Sequence, residues 1–221
     1  MKNCFRLYIK YKHVIPLLIF MVVYLCWFSW LEQDVTKYTV IHMALDDIIP
    51  FCEVFIVPYL LWFLYVAAVV IFLMLKNKQD YYKVCTFLMT GMTVFLIIST
   101  LWPNGHQLRP VMMPRDNVFS SLVTMLWRTD TPTNLWPSIH VYNSLGAHFA
   151  VMHSRELANK KGLKIASLVL AVSIILSTML IKQHSVFDVV TGLLLGAVMY
   201  VVVYRRDWIT ASRPQRTAQH D

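Results

Sequence analysis

The chain has 221 residues, of which 57% are apolar and only 14% are charged. This composition excludes an ordinary soluble domain, in which about a quarter of the residues are charged. The formal net charge of +8 does not indicate a nucleic-acid-binding surface, because most of the basic residues lie on one side of the apolar stretches described below.

Six apolar stretches follow one another along the chain, and most approach the ~20 residues that a helix needs to cross the hydrocarbon core. They cover residues 14–31, 54–75, 84–102, 135–152, 163–181 and 186–204. Polar residues interrupt the fourth stretch, but polar groups inside a membrane bundle are expensive and usually functional, so we count it as a span. The sequence therefore predicts an all-α, polytopic membrane protein with a six-transmembrane-helix bundle.

The distribution of positive charge predicts the orientation of this bundle. Fifteen of the 20 Lys and Arg residues precede the first span, follow the sixth, or lie between spans two and three or spans four and five. By the positive-inside rule this side is cytoplasmic. Residues 1–221 then form one integral domain of the cell membrane, with a cytoplasmic segment at 1–13, the bundle at 14–204 and a cytoplasmic tail at 205–221.

Two outer loops have patterns of their own. Apolar residues recur with helical spacing between positions 117 and 128, which predicts a short amphipathic helix. This helix either lies in the membrane interface and lines a route for lipids or packs on the bundle. The mixed segment 40–51, with Asp46 and Asp47, either caps the site or is a plain connector. In the sixth span, Gly192 and Gly196 predict close approach of a neighbouring helix.

The motifs that suggest chemistry fall on the outer side of the predicted spans. His184 and Asp188 are four residues apart, one helical turn, so the carboxylate can reach the ring. A carboxylate on one imidazole nitrogen leaves the other as an oriented lone pair. Pro137-Ser138-Ile139-His140 places a second histidine at a helix start, where free N–H groups bind anions. Arg109 adds a guanidinium suited to phosphate, so the set predicts a metal-free phosphoryl-transfer site.

These residues resemble the type 2 phosphatidic acid phosphatase superfamily, also called the lipid phosphate phosphatase and phosphotransferase family. Its pattern is Lys-x6-Arg-Pro, then Pro-Ser-x-His, then Ser-Arg-x5-His-x3-Asp, and the order is kept here. The family lysine falls at Trp102 and the arginine of the third motif falls at Thr178. In lacking these phosphate clamps, the chain is similar to the branch that holds the inositol phosphorylceramide and sphingomyelin synthases.

The resemblance and the motif chemistry together assign roles to particular residues. His184 is the expected nucleophile, Asp188 orients it, and His140 is the general acid. Arg109 and Ser138 are expected to bind the phosphate. Lys182, four residues after Thr178, is our candidate replacement for the lost arginine; alternatively it only extends to lipid head groups.

Three further positions receive lesser assignments. Arg115 is a weaker candidate for the phosphate clamp. His148 is expected to be a hydrogen-bonded packing residue, and His106 receives no role.

The leading functional hypothesis is a metal-independent lipid phosphatase that acts at the extracytoplasmic face through a phosphohistidine. The alternatives are a lipid phosphotransferase of the same fold, which transfers a phospho-head-group to a lipid or sugar hydroxyl, and a non-catalytic haem-binding or transport protein. No metal or other cofactor is expected, because Asp188 is the only carboxylate inside the motifs and two-metal sites need several oxygen ligands. The expected partners are a lipid phosphate substrate and the bilayer, with no nucleic acid and no obligate protein partner.

Overall fold

The computed structural model describes residues 12–33 and 37–205. Residues 1–11 of the predicted cytoplasmic segment and residues 206–221 of the predicted tail therefore lie outside the described residues. The α-helices are α1 (Ile15–Leu31), α2 (Ala44–Ile48), α3 (Ile56–Lys76), α4 (Lys78–Leu101), α5 (Val118–Thr129), α6 (Ile139–His153), α7 (Lys161–Leu180) and α8 (Val186–Tyr200). Short 3₁₀ turns cover Lys12–Val14, Glu53–Phe55 and Arg155–Leu157, and a π-helical turn, Val201–Arg205, continues α8.

A small pairing of strands joins two of the outer loops. The strands β1 (Thr39–Val40) and β2 (Asn104–Gly105) are two residues long and run parallel. The pairing ties the loop after α1 to the loop after α4.

Five segments are long and apolar enough to cross a membrane, and they match five of the six predicted spans. They are Lys12–Leu31, Glu53–Lys76, Lys78–Leu101, Lys161–Leu180 and Val186–Arg205. Helix α6 has 15 residues and is about 22 Å long at 1.5 Å per residue, which is less than the ~30 Å of the hydrocarbon core. A polytopic helical protein is thus supported, and the sixth span stays a prediction.

Helix α6 lies at the centre of the bundle and packs against α3, α4, α7 and α8. Its residues are buried on nearly every side, including the polar Asn143 and Ser144. Tyr142 stacks on Phe87 of α4, and its hydroxyl donates to the Phe87 carbonyl at 2.7 Å. The polar residues that weakened this span in the sequence are therefore enclosed by protein.

The predicted close approach at the glycines of α8 is confirmed. A Cβ atom added to Gly192 would lie 3.0 Å from the Ser138 carbonyl oxygen, and one added to Gly196 would lie 2.6 Å from a Leu145 methyl carbon. A side chain at position 192 would press on the backbone of α6, and one at position 196 would displace the end of the Leu145 side chain, so both glycines favour the close packing of α8 on α6. The contact brings the start of α6 beside the start of α8.

The predicted amphipathic helix is present as α5. Asn117 caps it by accepting a hydrogen bond from the Ser120 N–H at 3.0 Å. Its inner face packs on α3 and on the end of α7; the residues in this cluster include Ile56, Tyr59, Phe119, Val123, Leu126, Trp127 and Ile181. The packing interpretation is therefore confirmed for this face, while Leu122 lies on the exposed side.

Candidate active site

The first turn of α6 is attached to the first turn of α8. Ser138 is the N-cap of α6, and its hydroxyl accepts a hydrogen bond from the Val141 N–H at 3.4 Å. The Ser138 N–H donates to the Asp188 carbonyl oxygen at 3.2 Å. Two predicted motifs thus meet at one place, with His140 on one helix and His184 and Asp188 at the start of the other.

His184 and Asp188 form the predicted pair. The His184 Nδ1 lies 3.4 Å from the Asp188 Oδ2, and both side chains are buried. The same oxygen accepts a hydrogen bond from the Ser185 N–H at 3.0 Å, which completes a capping box at the start of α8. Asp188 therefore orients the ring and caps the helix with one carboxylate, and the His184 Nε2 is left as the free nitrogen.

His140 faces this pair. Its ring centroid lies 5.7 Å from that of His184, 4.6 Å from that of Tyr59, on which it stacks, and 4.3 Å from that of Trp62. The ring is buried, yet neither nitrogen has a hydrogen-bond partner among the described residues. Buried polar atoms are nearly always paired, so the unpaired nitrogens are available to a bound group.

Arg109 approaches from the loop after α4. Its guanidinium donates to the carbonyl oxygens of Trp127 (3.1 Å) and Asp130 (2.7 Å) and to the Gln183 side-chain oxygen (2.6 Å). The group also lies over the Trp127 ring, 5.4 Å from its centroid. Burial lowers the pKa of Arg109, although a guanidinium stays charged in proteins. The buried Nε has no partner within the described part of the chain.

Gln183 and Asp130 are buried polar residues of the site that sequence reasoning missed. The Gln183 amide nitrogen donates to the Asp130 Oδ2 at 2.7 Å, and the Tyr59 hydroxyl donates to the same oxygen at 3.1 Å. Burial raises the pKa of the Asp130 carboxyl, and the hydrogen bond from Tyr59 and the charge of Arg109 oppose this shift. The position of Gln183 beside His184 was the only signal in the sequence, and nothing there indicated Asp130.

His106, which received no role from the sequence, supports the same loop. Its Nε2 lies 3.0 Å from the Gln183 carbonyl oxygen, and its Nδ1 lies 3.2 Å from the Leu108 amide nitrogen, which donates to it. This arrangement requires a neutral ring with the proton on Nε2. Burial lowers the pKa of His106 to about 4. Both nitrogens are used internally, so His106 is a structural group.

Lys182, the candidate replacement for the lost arginine, does not lie one helical turn beyond Thr178 on a continuous helix. Helix α7 ends at Leu180, and Lys182 has a left-handed backbone with φ 56°. Its Nζ donates to the carbonyl oxygens of Asp46 (2.9 Å) and Ile49 (2.6 Å). Two of the three ammonium N–H groups therefore hold the segment around α2, and one remains for another acceptor.

The two positions where the family has its other clamps are occupied by residues with local contacts. Thr178 is buried and its hydroxyl donates to the Ile175 carbonyl at 2.7 Å, while the Trp102 indole donates to the Thr39 hydroxyl at 2.7 Å. The weaker clamp candidate, Arg115, pairs with Glu53 at 2.7 Å. Neither Trp102 nor Thr178 therefore has a second cation in its place.

His148 is a hydrogen-bonded packing residue, as expected. Its Nδ1 lies 3.0 Å from the Ser167 hydroxyl oxygen, which is also 2.6 Å from the Tyr65 hydroxyl. Across residues 12–33 and 37–205, His, Cys, Asp and Glu side chains form no group of three that could hold a metal ion.

Comparison with known proteins agrees with the motifs. The family model described as the PAP2 superfamily matches residues 109–210. That segment begins at Arg109 and contains Ser138, His140, His184 and Asp188, and it excludes α1 to α4. No curated protein and no solved structure matches the chain.

Proposed function

We propose that this chain, whose residues 109–210 match the PAP2 superfamily model, is a metal-independent lipid phosphatase that works through a phosphohistidine. One observation supports this proposal most strongly. Buried polar atoms of Arg109, His140 and Asp188 lack partners among the described residues. Asp188 is paired with His184, the His140 ring lies 5.7 Å from the His184 ring, and Arg109 is bonded to Gln183, the residue before His184. A phosphate ester supplies oxygens for the Arg109 Nε and for a protonated His140.

The first half of the reaction forms a P–N bond and breaks a P–O bond. The His184 Nε2 lone pair attacks phosphorus in line, and the bond to the lipid oxygen breaks. The electron pair leaves on that oxygen, which takes a proton from His140. The positive charge that develops on the His184 ring is stabilised by Asp188, which lies 3.4 Å away.

The equatorial phosphate oxygens require positive groups in the transition state. Arg109 supplies one, and the first N–H groups of α6, next to Ser138, supply the other. In the second half, neutral His140 takes a proton from water, the hydroxide oxygen attacks phosphorus, and the P–N bond breaks. Phosphate leaves and His184 is restored.

We place this chemistry at the extracytoplasmic face of the cell membrane, with six spans and both termini in the cytoplasm. The support is the distribution of basic residues, together with the position of His140 and His184 at the ends of helices on the opposite side from most of the lysines. A lipid phosphate in the outer leaflet can then reach the site from the membrane.

A phosphotransferase is the second candidate. Thr178 and Trp102 replace two cationic clamps, as in the sphingolipid synthase branch that the sequence resembles. The same histidines and Asp188 serve an alcohol acceptor, which gives up its proton to His140 in place of water.

One experiment separates the two candidates and tests both. Purified protein is incubated with a panel of lipid phosphates, with and without a diacylglycerol or ceramide acceptor, and released phosphate and new lipids are followed together by mass spectrometry. We expect phosphate release that persists in EDTA, is lost in His184→Ala, and falls by about 10²–10⁴ in His140→Ala. A well-folded His184→Ala protein with wild-type turnover would contradict the phosphohistidine mechanism, and new phospholipid without free phosphate would establish the transferase.

A further inference from the structure

Both polar atoms of the Gln183 side chain make hydrogen bonds. Its side-chain oxygen accepts from Arg109 at 2.6 Å, and its amide nitrogen donates to Asp130 at 2.7 Å and to the Tyr59 hydroxyl at 3.4 Å. Its backbone carbonyl bonds His106 and its backbone N–H bonds the Thr178 carbonyl at 2.9 Å. The residue is fully buried, so any change to these bonds leaves polar groups without solvent.

The charges on the two sides of Gln183 determine the orientation of its amide. A cation, Arg109, lies on the oxygen side, and a carboxylate, Asp130, lies on the nitrogen side. The reversed amide would place N–H groups against the guanidinium and an oxygen against the carboxylate, which loses both hydrogen bonds. Gln183 therefore links Arg109 to Asp130 in one direction only.

This link limits how Arg109 can be presented to a phosphate. Three contacts bind the guanidinium to the Trp127 and Asp130 carbonyls and to Gln183. Of the five N–H groups of an arginine, these contacts leave the buried Nε–H and one Nη1–H. Because the two other family cations are missing, Arg109 must bind the phosphate without them. Holding its guanidinium in a fixed orientation before the substrate binds increases the rate, since orientation is a large part of catalysis.

The same network reaches both histidines of the site. Gln183 directly precedes His184, and Tyr59, which donates to Asp130, stacks on His140 with ring centroids 4.6 Å apart. A displacement of Asp130 would therefore also displace Arg109, the loop that carries His184, and the ring of His140.

We propose that Gln183 and Asp130 are a positioning pair, which holds Arg109 and the His184 loop in place for phosphoryl transfer and compensates for the lost clamps. The inference rests on the proposed function for its activity readout. Neither residue touches the reacting atoms.

An exchange of charge across the pair tests this proposal. Gln183→Glu puts a carboxylate against Asp130, while Asp130→Asn keeps an oxygen for Gln183 and Tyr59. In the double variant, the new amide at position 130 can donate to the new carboxylate at position 183, and a single carboxylate remains between Arg109 and Tyr59. We expect Gln183→Glu to lower kcat at least tenfold, Asp130→Asn to lower it by less than fivefold, and the double variant to recover most of the loss.

Matched exchanges away from the pair provide the controls. Gln79 lies in the first turn of α4, and Asp116 is exposed in the loop before α5. The variants Gln79→Glu and Asp116→Asn should both keep wild-type kcat. Tm is measured for every variant in the same detergent, and kcat is expressed per folded protein. The inhibition constant of inorganic phosphate reports the Arg109 clamp directly, and it should rise with Gln183→Glu and fall again in the double variant.

The outcomes separate positioning from simple packing. A Gln183→Glu protein with lowered Tm but wild-type kcat per folded molecule would make the pair structural and overturn the proposal. A double variant with restored Tm and no recovery of kcat would overturn it as well. Wild-type activity in His184→Ala would instead defeat the proposed mechanism, and the recovery in the double variant would still be measurable.

Discussion

The charge of Asp188 can be removed with almost no change to the geometry around it. Its Oδ2 accepts the bonds from both His184 and Ser185, and its Oδ1 has no partner among the residues that the structure describes. In Asp188→Asn, the amide oxygen can take the place of Oδ2 and keep both bonds. The NH₂ group then takes the place of the unpaired oxygen.

The size of the expected effect follows from the positive charge that the proposed mechanism places on His184. A carboxylate and an imidazolium about 4 Å apart attract each other by about 4 kcal/mol at an effective dielectric constant of ~20. Since each 1.36 kcal/mol in the barrier is about tenfold in rate, Asp188→Asn should lower kcat about 10³-fold. KM should change little, because the ring is neutral in the substrate complex and the lost interaction belongs to the transition state.

The assay is phosphate release from the most active lipid of the panel, in mixed micelles, with Tm measured in parallel. Asp188→Asn should keep Tm because the capping acceptor remains, whereas Asp188→Ala should also lose about 1 kcal/mol of stability with its cap. Asp116→Asn is the matched control. An Asp188→Asn enzyme with kcat within threefold of wild type at unchanged Tm would show that the carboxylate does not stabilise charge on His184, and the nucleophile would have to be reassigned.

Three other predictions concern the rest of the site. Lys182→Met should lower kcat severalfold at constant KM if its third N–H binds phosphate, with partial recovery in Lys182→Arg; a fall in Tm without loss of kcat per folded protein would leave it a structural residue. Burial in the folded protein lowers the pKa of His106 from 6.5 to about 4, so between these pH values the unfolded chain binds a proton that the folded chain does not. The free energy of unfolding should therefore decrease by roughly 3 kcal/mol as the pH falls from 6.5 to 4. Thermal unfolding across this range should show a smaller decrease in His106→Gln. A cysteine at the fully exposed Val111, in a background without native cysteines, should react with an impermeant thiol reagent outside intact cells, and one at Asn159 should not; the reverse labelling would place the site in the cytoplasm.

The sequence predicts the elements that depend on local pattern. The length of the apolar stretches located five long helices, and the helical spacing of apolar residues predicted α5. The four-residue spacing of His184 and Asp188 predicted their contact. The start of α4 was placed six residues late, at 84, because the cap at Asn77 accepts from the Gln79 and Asp80 N–H groups and begins the helix at Lys78. A side-chain cap can thus start a helix in a polar turn that precedes the apolar stretch.

The parts that could not be predicted depend on contacts between distant segments. Asp130 lies 53 residues from Gln183, and no local pattern connects them. The sequence also gives no sign that α7 ends at Leu180 and that the chain then turns through Lys182, which has a left-handed backbone. A single sequence gives no information on where a buried amide finds its two charged partners.

The segment that carries His184 is held along its whole length, and several of its contacts come from outside the PAP2-matched region. The Leu180 carbonyl accepts from the Cys52 N–H at 2.9 Å. Asp46 accepts from the Ser185 hydroxyl at 2.6 Å and from the Val186 N–H at 2.7 Å. The carboxylate thereby satisfies one free N–H group, that of Val186, at the positive end of α8.

These contacts explain how a loop between two helices can hold the proposed nucleophile, His184, in place. A loop alone is too mobile for in-line attack, since a misplacement of about 1 Å can reduce the rate about 10²-fold. Here the segment 40–51 fixes residues on both sides of His184, through Lys182 and Ser185, while Arg109 and Asp130 fix Gln183 from the opposite direction. The segment 40–51, which lies outside the residues 109–210 that match the family model, therefore contributes directly to the geometry of the site.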